Sequence, residues 1–574
     1  MISPPSSRAN DGSILIRRLP TGVPGLDAVL GGGIPELSFN LLAGGPGAGK
    51  TTLAQQIIFE NASSDRPGLY FTVLGEPTIK LIRYQQQFGF FDPERIGRDV
   101  HLLNVGTEAA GGDLDVVLAR IVAEVERLTP GIVVVDSFGT LVPSGPRTDG
   151  SDAARLEQFV QRLSLHLTSW ETTSFLISEY PQAEQRHPVF TIADGIVSLS
   201  QVADGNSVVR KLQVTKVRGQ AFMPGLHTFR ITDSGLQVYP RIPEQQSTRR
   251  PPRPQRLGTG VPGMDEMLGG GIPAGDAVML AGPAGSGKTT FATQFVAAGN
   301  HMGESAVIAV FEEYPEVYLR RARGAGVDLE AMVRDGKLKL IYLRPLDLSV
   351  DETLAAILET VEEIGASRVV IDSVSGFEIA LAPAFREDFR ESFYRLVGAL
   401  TALGVTVLMT NEVAFAGPAG DLSFTGERVS FVTDDIIIQR YVELEGQLRT
   451  VLAVVKMRGS AHSHDFREYV ITAHGMVVGE SLRAYRGILT GFPERRSYAR
   501  RATHVGLTPI ESSVLDALVR IGDASAATLA TRTATSPAEV TRALDRLVAL
   551  DYVLRAADRD DETTYRAIAR SDKR

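Results

Sequence analysis

The sequence predicts an α/β protein: two tandem domains, each a mostly parallel sheet between helices, followed by a small helical module with a β-hairpin. Three observations predict it. Residues 18–35, RLPTGVPGLDAVLGGGIP, return as residues 256–273, RLGTGVPGMDEMLGGGIP, with 14 of 18 positions identical at an offset of 238 (256 − 18). A period this long marks a duplicated domain rather than a solenoid repeat. Within each copy, short β-branched runs alternate with longer amphipathic stretches, the pattern of strands and crossover helices. A glycine-rich loop ending in Lys-Thr also occurs once per copy, at the same offset (288 − 50).

Taken in order, residues 1–16 form a polar, Pro/Ser-rich flexible tail with no apolar signal-peptide core. The first repeat spans 17–243, with strands expected at 39–43, 69–73, 132–135 and 174–177 and a helix at 113–128. Residues 244–254 are Pro- and Arg-rich and read as a semi-stiff linker. The second repeat spans 255–485, with strands expected at 277–281 and 369–371. Residues 486–503 connect it to a last module, 504–574. There, helices are expected at 508–521, 525–533 and 536–550, then a hairpin of 552–555 and 563–568. Thr508-Pro509 and Ser536-Pro537 with Glu539 are helix-start signals.

Composition bounds the function classes. With 574 residues, 43% hydrophobic and 22% charged, the chain can bury several cores and is not disordered. Lys+Arg 59 against Asp+Glu 68 gives a net charge of −9, which excludes a bulk polyanion binder. The absence of cysteine excludes disulfides, thiolate zinc sites and a cysteine nucleophile, and a cytoplasmic location is expected. The longest apolar runs are strand-sized, so no membrane span is expected.

The chemistry starts at the two loops. Gly44-Gly45-Pro46-Gly47-Ala48-Gly49-Lys50-Thr51 and Gly282-Pro283-Ala284-Gly285-Ser286-Gly287-Lys288-Thr289 both fit G-x-x-x-x-G-K-[ST], followed by Thr52 and Thr290. Glycines let the backbone curl so that its N–H groups face phosphate oxygens, and the next helix adds the positive end of its dipole. Lys50 and Lys288 would reach the terminal phosphates of ATP, and Thr51 and Thr289 would ligate Mg²⁺. Asp136 and Asp372 end apolar strands 86 and 84 residues beyond those lysines (136 − 50, 372 − 288), the place of a second Mg²⁺-holding group. An Asp after a strand is otherwise a turn former. Carboxylates after the strand that follows each loop helix, Glu76 in the first copy and Glu312 with Glu313 in the second, are candidates to orient or deprotonate a nucleophile. Lys216-Val217-Arg218-Gly219 and Lys456-Met457-Arg458-Gly459 repeat K-x-R-G, two cations on one side of an extended chain. His462 and His464 could suggest a metal, but no further ligand cluster accompanies them.

Over about residues 17–497 the chain resembles the KaiC family, the circadian clock-type ATPases and autokinases built from two RecA-like domains. The opening T-G-V-P-G-[LM]-D…G-G-G-I-P, both P-loops, both K-x-R-G elements and Arg467-Glu468-Tyr469-Val470-Ile471-Thr472 carry the resemblance. It implies a hexamer with ATP and Mg²⁺ at subunit interfaces, where Lys216, Arg218, Lys456 and Arg458 reach a neighbour's ATP. It also implies serine/threonine autokinase activity in the second domain, a role as timer or signalling hub, and a KaiB-like or other signalling partner. The family's phosphorylated Ser/Thr pair corresponds to Ser430 and Phe431, so one acceptor remains, with Glu312 as its base. Gly75 stands where the first domain would carry another carboxylate.

The last module departs from that family and resembles a winged helix of the MarR or TrmB sort. Its third helix would be the reader, exposing Thr541, Arg542, Arg546 and Ser536. From His504 onward, however, ten Lys/Arg face eleven Asp/Glu, and the wing tip Asp558-Arg559-Asp560-Asp561-Glu562 is acidic. DNA and a protein partner both stay open as its ligand. An ATP-switched scaffold or transcription regulator without kinase activity is the alternative to the enzyme reading. A RecA-type strand-exchange ATPase is disfavoured by the lack of a basic DNA face.

Overall fold

The computed structural model describes residues 16–73, 78–110, 113–137, 151–179, 189–204, 207–241, 255–343, 349–381, 389–413, 433–489, 493–495, 507–522, 524–550, 552–557 and 563–567. Glu76, Ser430 and Phe431 lie outside the described residues.

Each repeat builds a nine-stranded sheet. In the first, the order from one edge is Gly235–Tyr239, Leu226–Thr232, Ser207–Val217, Gly195–Asp204, Phe39–Gly44, Thr173–Ser178, Ile132–Asp136, Gly68–Thr72, Val100–Asn104. The six strands from Gly195–Asp204 to Val100–Asn104 run parallel, and the other three extend the sheet antiparallel. The second sheet repeats this order with Asp435–Leu444, Ala277–Gly282, Thr406–Glu412, Arg368–Asp372, Ala306–Val310 and Leu338–Tyr342 as its parallel strands.

Central strands of such a sheet are buried on both faces, which is why they read as apolar runs without alternation. Along Phe39–Gly44, Leu41 and Ala43 enter one core and Leu42 the other, all about 1% exposed or less. Helix Leu114–Leu128, capped by Asp113 accepting from the Asp115 N–H, covers one face. Helix Lys50–Asn61 covers the other, with Leu53, Ala54, Ile57 and Ile58 buried.

The duplicated opening motif is structural. Asp27 Oδ1 accepts the Thr21 N–H at 2.9 Å, and Asp265 Oδ1 accepts both the N–H and hydroxyl of Thr259 at 2.9 and 2.6 Å. Both threonines are fully buried, so the Thr–Asp staple satisfies backbone groups that water cannot reach.

The C-terminal module folds around its own core of Val514, Leu518, Leu529, Val540, Leu544 and Leu547. Helices Pro509–Ile521, Ala526–Thr533 and Pro537–Ala549 pack against a three-stranded sheet of Ala524–Ser525, Thr563–Ala567 and Val553–Ala557. Thr508 and Glu511 form a reciprocal capping box at the first helix. This is a winged helix-turn-helix. Among the described residues no helix is long and apolar enough to cross a membrane.

Candidate functional site

Both P-loops sit at the carboxyl end of the central strand, where ligands bind in open parallel sheets. Gly49 and Gly287 begin the loop helices at φ 95° and 89°, a left-handed backbone that admits glycine far more readily than other residues. The Lys50 ammonium donates to Gly44 O and Gly45 O, both at 2.8 Å. Lys288 repeats this on Gly282 O at 2.9 Å and Pro283 O at 2.8 Å. Burial holds both lysines below the usual lysine range, opposed by the nearby charges of Glu179 and Asp136 at the first and of Glu412, Asp372 and Glu312 at the second. Each ammonium thus rests on loop carbonyls, poised to turn onto an anion.

The candidate metal-holding groups lie together in the first repeat. Thr51 Oγ1 donates to Asp136 Oδ2 at 2.8 Å. Asp136 is raised above the ordinary carboxylate range by burial, against hydrogen bonds from Tyr70 and Thr51. In the second repeat Thr410 Oγ1 donates to Asp372 Oδ1 at 2.5 Å, and Asp372 Oδ2 is buried without a hydrogen-bond partner. Tyr318, fully buried, lies near enough for the Asp372 charge to add to burial in pushing its hydroxyl up. A buried carboxylate oxygen left unpartnered, with hydroxyls and no soft ligands around it, suits a hard divalent cation such as Mg²⁺. Thr51 and Asp136, and Thr289 and Asp372, are the residues that would hold it.

The paired glutamates of the second repeat have different partners. Glu312 Oε1 accepts the Ser373 hydroxyl at 2.8 Å, directly after Asp372. Ser373 Oγ in turn accepts the Gly376 N–H at 2.9 Å and caps helix Val374–Ala380. Glu313 is instead ion-paired with Arg321 on helix Pro315–Gly324. Burial raises Glu313 more than Arg321 lowers it. Ser373 and Gly376 were invisible as site residues in the sequence, because only the fold returns the segment after Asp372 to Glu312. Glu179 and Glu412 were also missed; a Ser-Glu and an Asn-Glu ending matching strands was the available signal.

The K-x-R cations lie back from the P-loop in each sheet, toward the amino end of the central strand. Lys216 is paired with Ile196, itself level with Leu41, three residues before Gly44. Lys456 is likewise level with Met279, three residues before Gly282. At ~3.3 Å per residue that is ~10 Å from the loop's first glycine, on the side away from the phosphates. Lys216 donates to Thr191 O at 3.0 Å and Arg218 pairs with Asp194 at 2.9 Å. Lys456 donates to Thr433 O at 2.6 Å and Arg458 pairs with Asp434 at 3.5 Å. Both arginines keep more than half of their side chain exposed. A β-bulge, at Ile196/Val197 and at Ile436/Ile437, precedes each element.

The His462 and His464 rings lie 4.6 Å apart between centroids, tilted by 59°, and Asp465 is paired with Arg483. No group of three or more candidate metal ligands occurs among the described residues. On helix Pro537–Ala549, Thr541, Arg542 and Arg546 are exposed, as is Ser536 at its cap. Arg546 is ion-paired with Glu511 at 3.1 Å, and Asp545 beside it is paired with Arg555 of the wing.

Comparison with known proteins gives these sites a family. The KaiC ATPase model matches residues 19–242 and again 257–483, and the MarR family model matches residues 505–562. The circadian clock oscillator protein KaiC of Picosynechococcus sp. is 31% identical over 514 residues, covering 86% of this chain and 96% of its own. That of Rippkaea orientalis is 30% identical over 510 residues, with 86% and 95% covered. The circadian clock protein KaiC3 of Synechocystis sp. is 29% identical over 496 residues, with 83% and 95% covered. With two KaiC ATPase domains spanning most of its length and a MarR-family winged helix after them, the chain belongs to the KaiC family.

Proposed function

We propose that the protein is an ATP-hydrolysing oligomer, expected as a hexamer, with serine autokinase capacity in its second domain and a role as timer or signalling hub. The observation that carries the oligomer is the placement of the K-x-R cations. In both repeats they lie three or more residues back from their own P-loop along the sheet, the arginines paired with Asp194 and Asp434 and the lysines donating to Thr191 O and Thr433 O. This placement supports a role at another subunit's ATP site, as an arginine finger plays in trans. ATP should therefore drive assembly. Light scattering tests it: Lys456→Ala with Arg458→Ala should lower the ATP-dependent mass, and a wild-type monomer at saturating ATP removes the interface site.

In the second domain the chain's own groups fall into an order of tasks. Gly282 to Gly287 and Lys288 bind and orient the phosphates. Thr289 and Asp372 hold Mg²⁺, which when bound neutralises charge developing on the phosphoryl oxygens. Glu312, fixed through one oxygen by Ser373, keeps the other to accept a proton from the attacking water or from the Ser430 hydroxyl. Glu313 is committed to Arg321 and supports rather than accepts.

The first domain is proposed as the weaker hydrolase. The registers Thr72↔Asp136 and Val310↔Asp372 align the two strands, and counting on along the sequence sets Leu74 against Glu312 and Gly75 against Glu313. By the same count Glu76 falls at the place of Tyr314. This domain is suited to hold ATP and assemble.

The MarR-family match favours a second layer, in which nucleotide state governs how the winged helices are presented. Arg546 is engaged by Glu511 and Arg555 by Asp545, and the module's ten Lys/Arg are outnumbered by eleven Asp/Glu, which weakens the attraction to a polyanion. A protein partner is the better fit.

A further inference from the structure

The two metal-holding aspartates are braced from opposite sides by donors that no motif predicts. Asp136 lies on strand Ile132–Asp136, between Thr173–Ser178 and Gly68–Thr72. Its donor comes from the second of these: Tyr70 OH reaches Asp136 Oδ2 at 2.5 Å. Asp372 has the matching place in the other sheet, but there a donor comes from the opposite neighbouring strand, where Thr410 reaches Oδ1, and the buried Tyr318 hydroxyl approaches from helix Pro315–Gly324. The exchange is reciprocal. At the place of Tyr70 the second domain has Ile308, and at the place of Thr410 the first has Ile177. Each isoleucine is fully buried and can donate nothing.

Tyr70 is itself fully buried, so its hydroxyl has no water to bond and must find a protein acceptor. Asp136 Oδ2 already receives Thr51. Once Thr51 turns toward a cation, Tyr70 is the donor that keeps the carboxylate in one rotamer. Groups that hydrogen-bond a metal-ligating carboxylate orient it, and their loss typically costs 10–100-fold in metal affinity.

We propose that Tyr70 is a positioning residue for the metal of the first site, a task that the second site, with Ile308 in its place, leaves to groups on other elements, Thr410 and the neighbouring Tyr318. The inference rests on the reading of Thr51 and Asp136 as the metal-holding pair. It goes beyond that reading, because it names the group that fixes the pair and separates the two domains by it.

The test uses the full chain carrying Lys288→Ala, so that a fluorescent ATP analogue reports the first site. Nucleotide retention is titrated with Mg²⁺, and affinity is measured separately in EDTA. Tyr70→Phe should raise the Mg²⁺ midpoint about tenfold or more while leaving the EDTA affinity unchanged. Asp136→Asn should raise it too. A Tyr70→Phe midpoint within twofold of the parent, with Asp136→Asn raised, overturns the Tyr70 inference and leaves the metal pair standing. Neither variant moving the midpoint overturns both. Equal losses with and without Mg²⁺ make Tyr70 a packing residue only, which also overturns the inference. Should Tyr70→Phe fail to fold, 3-fluorotyrosine at position 70 keeps the hydroxyl, and its fluorine resonance should shift when Mg²⁺ is added to the ATP-bound protein. No shift overturns the proposal.

Discussion

Gly376→Ala is the sharpest perturbation of the second site, because it should stop chemistry without harming the fold. A Cβ at Gly376 would stand 2.5 Å from Glu312 Oε1, 2.8 Å from its Cγ and 3.1 Å from its Cδ, where ordinary contact begins at 3.4 Å. Glu312 must therefore withdraw by about 1 Å, which breaks its 2.8 Å bond from Ser373. A 1 Å misplacement of a reacting group can cost about 10²-fold, equivalent to ~2.7 kcal/mol of barrier. Stability should move the other way. The displaced atoms are the end of a flexible side chain, and alanine is favoured over glycine in a helix by up to ~1 kcal/mol. The assay is phosphate release by the full chain beside its melting temperature, with Glu312→Gln as the reference for complete loss of the base. Gly376→Ala should match Glu312→Gln in lost hydrolysis and melt no lower than wild type. Wild-type hydrolysis in Gly376→Ala, with Glu312→Gln inactive, would refute the placement of the base.

Ser430 should be the phosphoacceptor: after incubation with Mg·ATP, intact mass and peptide mapping should find one phosphate there. Label only on Thr425 or Thr433, or hydrolysis with no label, would leave an ATPase without the kinase. Asp435 should make the second domain sensitive to pH. It is fully buried, and burial, then Asp276 and Asp434, push it up to about 7 against the opposing Arg458 backbone N–H and Arg256 charge. A carboxyl raised in the folded state keeps a proton that the unfolded chain releases, so stability falls as pH rises from about 4 to 7, at up to ~1.4 kcal/mol per unit. Asp435→Asn should flatten the melting temperature between pH 5 and pH 8; an unchanged slope would show that Asp435 is not the titrating group.

The sequence by itself determined the duplication, the alternation of strands and helices, both phosphate loops and the three helices of the last module. These are local properties. Burial on both faces makes Ala277–Gly282 continuously apolar and Phe39–Gly44 apolar but for Asn40, and a loop that must curl around phosphate needs glycine at Gly49 and Gly287. Asp136 and Asp372 were legible because a strand's end is legible. What the sequence could not decide was which side chains meet across strands. Tyr70 reads as one more aromatic in an apolar run, Thr410 as a strand threonine and Gly376 as a helix glycine. Each acquires its meaning from a partner 66, 38 or 64 residues away (136 − 70, 410 − 372, 376 − 312). K-x-R was visible as charge, yet its remoteness from its own P-loop follows only from strand register. Hydrogen bonds of 2.5–2.9 Å are fixed by register and packing, and those are properties of the closed sheet, not of any segment that enters it.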